Sequence, residues 1–248
     1  MSDERVVVIT GAASGMGAAS ARAFAALGDT VVIVDRDGDG ARAVADSIGA
    51  PGPFVGDVSD SGFCGTTIDR VLGAHGGVDV LVNAAGTIHR ADSQGTDDAD
   101  WRRVMSVNVD GTYFMCRAAI EAMRARGGGA IVNFGSIWGE VGAAGVTAYC
   151  VSKGAVHQLT RALALDHVGD GIRVNAVAPG EVNTPMLASQ RDVPPTAADL
   201  QALADATIPM KRLAEPEEIA SVVVFLASPA AGYMTGAIVP VDGGYTVR

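Results

Sequence analysis

In "AYCVSKGAV", Tyr149 and Lys153 stand four positions apart with small or neutral residues between them. On a helix, side chains at i and i+4 lie one above the other on one face, so a phenol and an ammonium could share a small volume. A phenol with an unperturbed pKa of about 10 is protonated at neutral pH, and a neighbouring cation favours its ionised form. Such a pair could take a proton from an alcohol or return one to a carbonyl. Taken alone, the interval suits an exposed tyrosine beside a solvated lysine better, so the elements that would position the pair have to decide.

Short β-branched runs recur at 5–10 ("RVVVIT"), 30–35, 78–83, 130–135, 172–178 and 237–241, with a weaker one at 53–56 and alanine-rich segments of helical length between them. Strands apolar on both faces and alternating with helices indicate a parallel sheet covered on both sides. The expectation is a Rossmann-like, doubly wound α/β domain with a seven-stranded parallel sheet and helices on both faces. One domain suffices for 248 residues, 48% of them hydrophobic.

The first strand runs into "TGAASGMGAAS", where Gly11, Gly15 and Gly17, with Ser14 and Met16 between them, open an amphipathic helix. Glycines there let a diphosphate approach the free amides of a helix N-terminus, whose dipole favours negative charge. Asp35 closes the second strand at the place of an acid that grips an adenosine ribose. Its carboxylate would repel a 2′-phosphate, which favours NAD over NADP. The neighbouring Arg36 is the one group that could bind that phosphate. Asp57 and Val58 follow the third strand, and Asn83, Ala84 and Gly86 in "NAAG" follow the fourth, all at the carboxyl edge where ligands bind in this architecture.

A net charge of −10 argues against general attraction to nucleic acid or anionic membranes. Cys64, Cys116 and Cys150 form an odd set without a CxxC pair, which speaks against a disulfide framework and for a reducing cytoplasm. No export signal is apparent at the N-terminus. Residues 219–241 carry no charge, but Pro229, Gly232, Thr235 and Gly236 divide them into a buried helix, a turn and a strand. The proline-rich interval 181–212 breaks the strand–helix rhythm and reads as a substrate lid. His75, His89, His157 and His167 show no metal-ligand spacing, so no metal is expected and most should lie at the surface.

The ordered set "TGAASGMG", "DV", "NAAG", Asn108 in "VMSVNVDGTYF", Ser136 in "NFGSIWG", "YCVSK" and "NAVAPGEVNTP" resembles the short-chain dehydrogenase/reductase family over about residues 5–244. The resemblance implies an NAD(P)-dependent oxidoreductase interconverting a secondary alcohol and its ketone, with Asn108, Ser136, Tyr149 and Lys153 as a catalytic tetrad. In it, Tyr149 acts as general acid/base, Ser136 orients the substrate oxygen, and Lys153 also reaches the nicotinamide ribose. Asn108 would hold a water joining Lys153 to solvent. Pro179, Gly180, Val182 and Thr184 would form the turn at the nicotinamide carboxamide. A homotetramer is implied as well.

For the substrate, His89, Trp138 and Glu140 join Ser136 and Tyr149 as candidates, while Glu181 reads as a solvated loop residue and Cys150 as core packing. The substrate is expected to be a small alcohol or ketone of polyol, sugar or hydroxy acid type. Two readings compete with this one. A hydrolase using Ser136 lacks the G-x-S-x-G elbow, since "GSIWG" is G-S-x-x-G. A non-catalytic NAD sensor would not require Tyr149 and Lys153 together. NADP-dependent carbonyl or ketoacyl reduction remains the alternative within the family.

Overall fold

The computed structural model describes residues 4–191 and 193–247. Its strands are β1 (Val6–Thr10), β2 (Thr30–Asp35), β3 (Phe54–Val55), β4 (Val80–Asn83), β5 (Gly129–Phe134), β6 (Ile172–Pro179) and β7 (Ile238–Val241). They form one seven-stranded sheet in the order β3-β2-β1-β4-β5-β6-β7, parallel throughout. The chain reverses its direction of winding between β1 and β4, and that reversal opens a crevice at the carboxyl ends of the strands.

Helices α1 (Gly15–Ala26), α2 (Gly38–Ile48) and α8 (Pro216–Ala227) lie on one face, and α3 (Ser61–His75), α5 (Gly111–Arg126) and α6 (Thr147–His167) on the other. The strand sequences explain both layers, because successive side chains point to opposite faces. Val7, Ile9, Val31 and Ile33 pack with Phe24, Val223 and Leu226. Val6, Val8, Val32 and Val34 pack with Ile68, Met115 and Leu163 on the other side. Residues 219–241 resolve into most of α8, a short turn at Pro229–Ala231 and β7, and no helix among the described residues is long and apolar enough to cross a membrane.

Two local features bear on the site. Helices α4 (Asp98–Met105) and α5 are one continuous run interrupted by a π-helical turn at Ser106–Asp110, which holds Asn108. Second, α2, α3, α4 and α7 (Ala197–Thr207) each have an N-cap side chain that accepts a backbone hydrogen bond, from Asp37, Asp60, Asp97 and Thr196. Helix α1 does not: Ser14 makes no side-chain cap bond and no acidic residue occupies its first turn. Its N-terminal amides are left open toward the crevice.

Candidate active site

One end of the crevice is a cleft of about 300 Å³ lined by Gly11, Ser14, Gly15, Met16, Gly17, Asp35, Arg36, Asp57, Val58, Ala84, Gly86 and Thr184. Its floor requires glycine. Gly11 has φ +66°, and a Cβ there would lie 2.5 Å from the Ala85 amide nitrogen, while one at Gly17 would run into the Gly11 carbonyl. The Asp35 carboxylate accepts from the Ala13 and Asp37 amides, both at 2.9 Å, which fixes it beside the glycine turn. Arg36 is exposed. An uncapped helix N-terminus, a glycine floor and a fixed carboxylate together fit a dinucleotide, the amides facing its diphosphate and Asp35 its ribose.

Asn83 is the member of the expected set that the structure does not bring to this cleft. Its side chain is buried in the core, donating to Asn133 Oδ1 at 2.9 Å and to Cys116 Sγ at 3.2 Å. The strand pleat turns it away from the ligand edge and leaves Ala84 and Gly86 to line the space.

At the other end the crevice narrows to about 80 Å³ between Ser136, Trp138, Tyr149, Lys153, Pro179, Gly180, Val182 and the segment carrying Met186 and Leu187. The i, i+4 spacing on α6 places the Lys153 ammonium 5.5 Å from the Tyr149 ring centroid, and Nζ donates to the Phe134 carbonyl at 2.7 Å. Ser136 caps a short turn at Ile137–Gly139, its Oγ accepting from the Trp138 amide, and it lines the same pocket as the Tyr149 phenol. Trp138 meets the Tyr149 ring edge-on at 6.1 Å.

Asn108 is buried. Its Oδ1 accepts from the Thr87 amide at 2.7 Å, and its Nδ2 donates to the Thr87 carbonyl and to Ser152 Oγ, both at 2.9 Å. It thereby ties the Gly86–Thr87 turn to α6. A Cβ at Gly86 would lie 3.4 Å from Asn108 Oδ1 and 3.7 Å from Lys153 Nζ, so glycine keeps the space between them open.

The electrostatics differ from the simple pairing that the spacing suggested. Burial pushes the Tyr149 phenol up to about 12; the Ser136 hydroxyl and Arg90 oppose that shift, and Glu181 and Cys150 add to it. Burial likewise pulls Lys153 down to about 8. In the polypeptide itself, desolvation of both groups outweighs any help that the ammonium gives the phenolate.

Several side chains stand elsewhere than the sequence suggested. Glu140 is turned out of the pocket, with Oε1 3.6 Å from His157 Nδ1 and 3.7 Å from Arg161. His89 faces Gln190 at 3.3 Å and Asp100 at 3.5 Å and does not line the reaction space. His157, expected among surface histidines, is buried and accepts from the Ser136 amide through Nε2 at 3.3 Å. The loop fits around its ring because of glycines: a Cβ at Gly135 would overlap Nε2, and one at Gly139 would come within 2.8 Å of Cε1. Among the described residues no group of three or more His, Cys, Asp or Glu is placed to hold a metal.

Glu181 is half-buried rather than a freely solvated loop residue. It lines the pocket with Arg90, and burial raises its carboxyl pKa while Arg90 and Arg191 oppose the rise. Its adjacency to Gly180 at the carboxyl end of β6 was the available signal.

Residues 11–246 match a family model described as Enoyl-(Acyl carrier protein) reductase. Galactitol 2-dehydrogenase (L-tagatose-forming) of Cereibacter sphaeroides is 47% identical, the match covering 99% of this chain and 96% of that protein. Cis-4-hydroxycyclohexanecarboxylate dehydrogenase of Sinomonas cyclohexanicum is 45% identical over 98% and 97% of the two chains. Among solved structures, a putative NAD(P)-dependent gluconate 5-dehydrogenase from Beutenbergia cavernae with NADP bound at low occupancy superposes with a TM-score of 0.90, at 39% identity and over 98% of this chain and 97% of that one. With this sheet order, this glycine turn and this tyrosine–lysine pair, the chain belongs to the short-chain dehydrogenase/reductase family, whose members are NAD(P)-dependent oxidoreductases.

Proposed function

We propose that this protein interconverts a secondary alcohol and its ketone with NAD, using Tyr149 as general acid/base. The observation that carries this reading is that Tyr149, Ser136 and Lys153 converge at the closed end of a crevice whose other end is the open N-terminus of α1 with Asp35. When bound, the oxidised nicotinamide supplies the hydride acceptor and a positive charge. In oxidation Tyr149 first gives up its own proton toward solvent, the positive charges of Lys153 and of a bound oxidised nicotinamide offsetting the burial that favours the phenol; the phenolate oxygen then takes the proton of the substrate hydroxyl, while Ser136 orients the alcohol and stabilises its developing charge. In reduction Tyr149 returns that proton to the carbonyl oxygen.

The opening at Gly86, between Asn108 Oδ1 and Lys153 Nζ, is a suitable station for a water that passes the proton onward. Asp35 supports NAD over NADP, because a 2′-phosphate beside a carboxylate is repelled. The names of the relatives support small alcohol substrates, galactitol among them. We assign the chain to the cytoplasm, and to a homotetramer on the family's habit. The segment from 181 to 212 serves as a lid. Arg90 supports that role, since it donates to the Ser189 carbonyl at 3.1 Å and the Met186 carbonyl at 3.2 Å.

The test is absorbance of the reduced nicotinamide while the chain is incubated with a panel of secondary alcohols and polyols, with NAD and NADP in parallel. Turnover with NAD that disappears in Tyr149→Phe is expected. Turnover retained in that variant would remove Tyr149 from the mechanism.

A further inference from the structure

The reaction space contains two charged groups that the chemistry above does not use. Glu181 is half-buried where it lines this pocket, and among the described residues its carboxylate has neither a hydrogen-bond donor nor an ion-pair partner; its backbone carbonyl accepts from the Ala214 amide. A carboxylate at a pocket wall with no protein donor keeps its acceptor positions open to a ligand hydroxyl. Arg90 lines the same pocket, and two of its donors hold the Met186 and Ser189 carbonyls. Its Nη1 makes no bond to the protein among the described residues.

Glu181 and Arg90 lie in each other's field and both act on Tyr149, but they form no ion pair within 4.0 Å. A hydroxyl is the kind of group that two such side chains can share. It donates to a carboxylate at about 2.7 Å and accepts from a guanidinium at about 2.9 Å, so it satisfies two groups up to about 5.5 Å apart. Beside them Ile88, Ile137, Trp138 and Leu187 contribute apolar surface to the same pocket.

We propose that Glu181 and Arg90 form a hydroxyl-reading pair, and that the substrate is a neutral vicinal diol or polyol. Its reacting hydroxyl meets Tyr149 and Ser136, and a neighbouring hydroxyl donates to Glu181 and accepts from Arg90. This rests on the alcohol dehydrogenase reading above and deepens it. A mono-alcohol offers neither the Glu181 carboxylate nor the Arg90 Nη1 that second hydroxyl. A hydroxy acid would place its carboxylate against that of Glu181, so the pair selects against it even though Arg90 alone would welcome it.

The experiment uses the full chain with NAD and three four-carbon substrates: a vicinal diol, the matching mono-alcohol and the matching hydroxy acid. The diol is expected to exceed the mono-alcohol in kcat/KM by about tenfold to a hundredfold, the range for a hydrogen bond to a charged group. Glu181→Gln keeps the shape and removes the charge; it should collapse that ratio and raise turnover of the hydroxy acid relative to the diol. A wild type that prefers the hydroxy acid, or a diol ratio unchanged in Glu181→Gln, overturns the proposal.

If no alcohol is turned over at all, it is the dehydrogenase reading that fails, and the pair is then judged by binding. In a Trp101→Phe background, Trp138 is the remaining tryptophan, and its emission should respond to the diol with an affinity that falls about tenfold or more in Glu181→Gln. Absence of a Glu181-dependent response overturns the hydroxyl-reading pair independently.

Discussion

The Lys153 ammonium stands 5.5 Å from the centroid of the Tyr149 ring and donates to the Phe134 carbonyl at 2.7 Å, inside the protein. Burial lowers its pKa from 10.5 to about 8. The unfolded chain therefore holds this proton more tightly than the folded one between those two values. Its contribution to stability is present above pH 10.5 and is lost as pH falls toward 8. Lys153→Met has no such titration. Wild type is thus expected to gain on this variant between pH 8 and 10.5, by up to about 3 kcal/mol. Chemical denaturation of both proteins across that range measures the difference; a constant offset would show that the lysine is not held in a desolvated site.

Tyr149→Phe removes the proposed proton acceptor but keeps the ring that packs against Trp138. The expected loss in kcat is about a hundredfold to ten-thousandfold, with unfolding temperature little changed. Ser136→Ala should cost about a hundredfold or more through the unsupported alkoxide. Steady-state kinetics on the best alcohol of the panel, beside a thermal melt of each variant, separates chemistry from folding.

Asp35 is the carboxylate tied to the glycine turn through the Ala13 amide, and the NAD preference is attributed to it. In Asp35→Ser a hydroxyl still offers an acceptor, while the repulsion of a 2′-phosphate disappears and exposed Arg36 becomes available to it. The ratio of kcat/KM with NAD to that with NADP should fall about tenfold or more. An unchanged ratio would mean that discrimination lies elsewhere in the cleft.

The sheet was legible because the β-branched runs are two-sided: Val7 and Val8 are both buried, on opposite faces, and only a doubly covered strand reads that way. The glycine turn was legible for a similar reason, since the constraint at Gly11 and Gly17 is local backbone crowding. What escaped the sequence depends on where long side chains turn after their backbone is placed. Glu140 and Glu181 are both loop glutamates beside glycines, yet one swings out to His157 and Arg161 and the other lines the pocket. Asn83 was assigned to the cleft by its motif, but the pleat sends it to Asn133. The π-helical turn that presents Asn108 leaves no compositional trace in "SVNVD".

His157 is a buried support of Ser136, the serine proposed for catalysis, and accepts from the Ser136 amide. His157→Leu fills a similar volume without an acceptor, leaving that amide unpaired at a cost of about 1–3 kcal/mol. Since the loop that aims Ser136 would loosen, kcat should fall more than KM rises, and His157→Gln should recover part of the loss through its side-chain oxygen. A pH readout distinguishes this role from plain packing. Burial, then Lys153 and Arg161, pull the imidazole from 6.5 down to about 4, while Glu140 faces Nδ1. The folded state resists protonation, so the contribution of His157 is present above pH 6.5 and is lost as pH falls toward 4. Unfolding midpoints for wild type and His157→Gln should therefore converge as the pH falls through that interval, and parallel curves would refute the assignment.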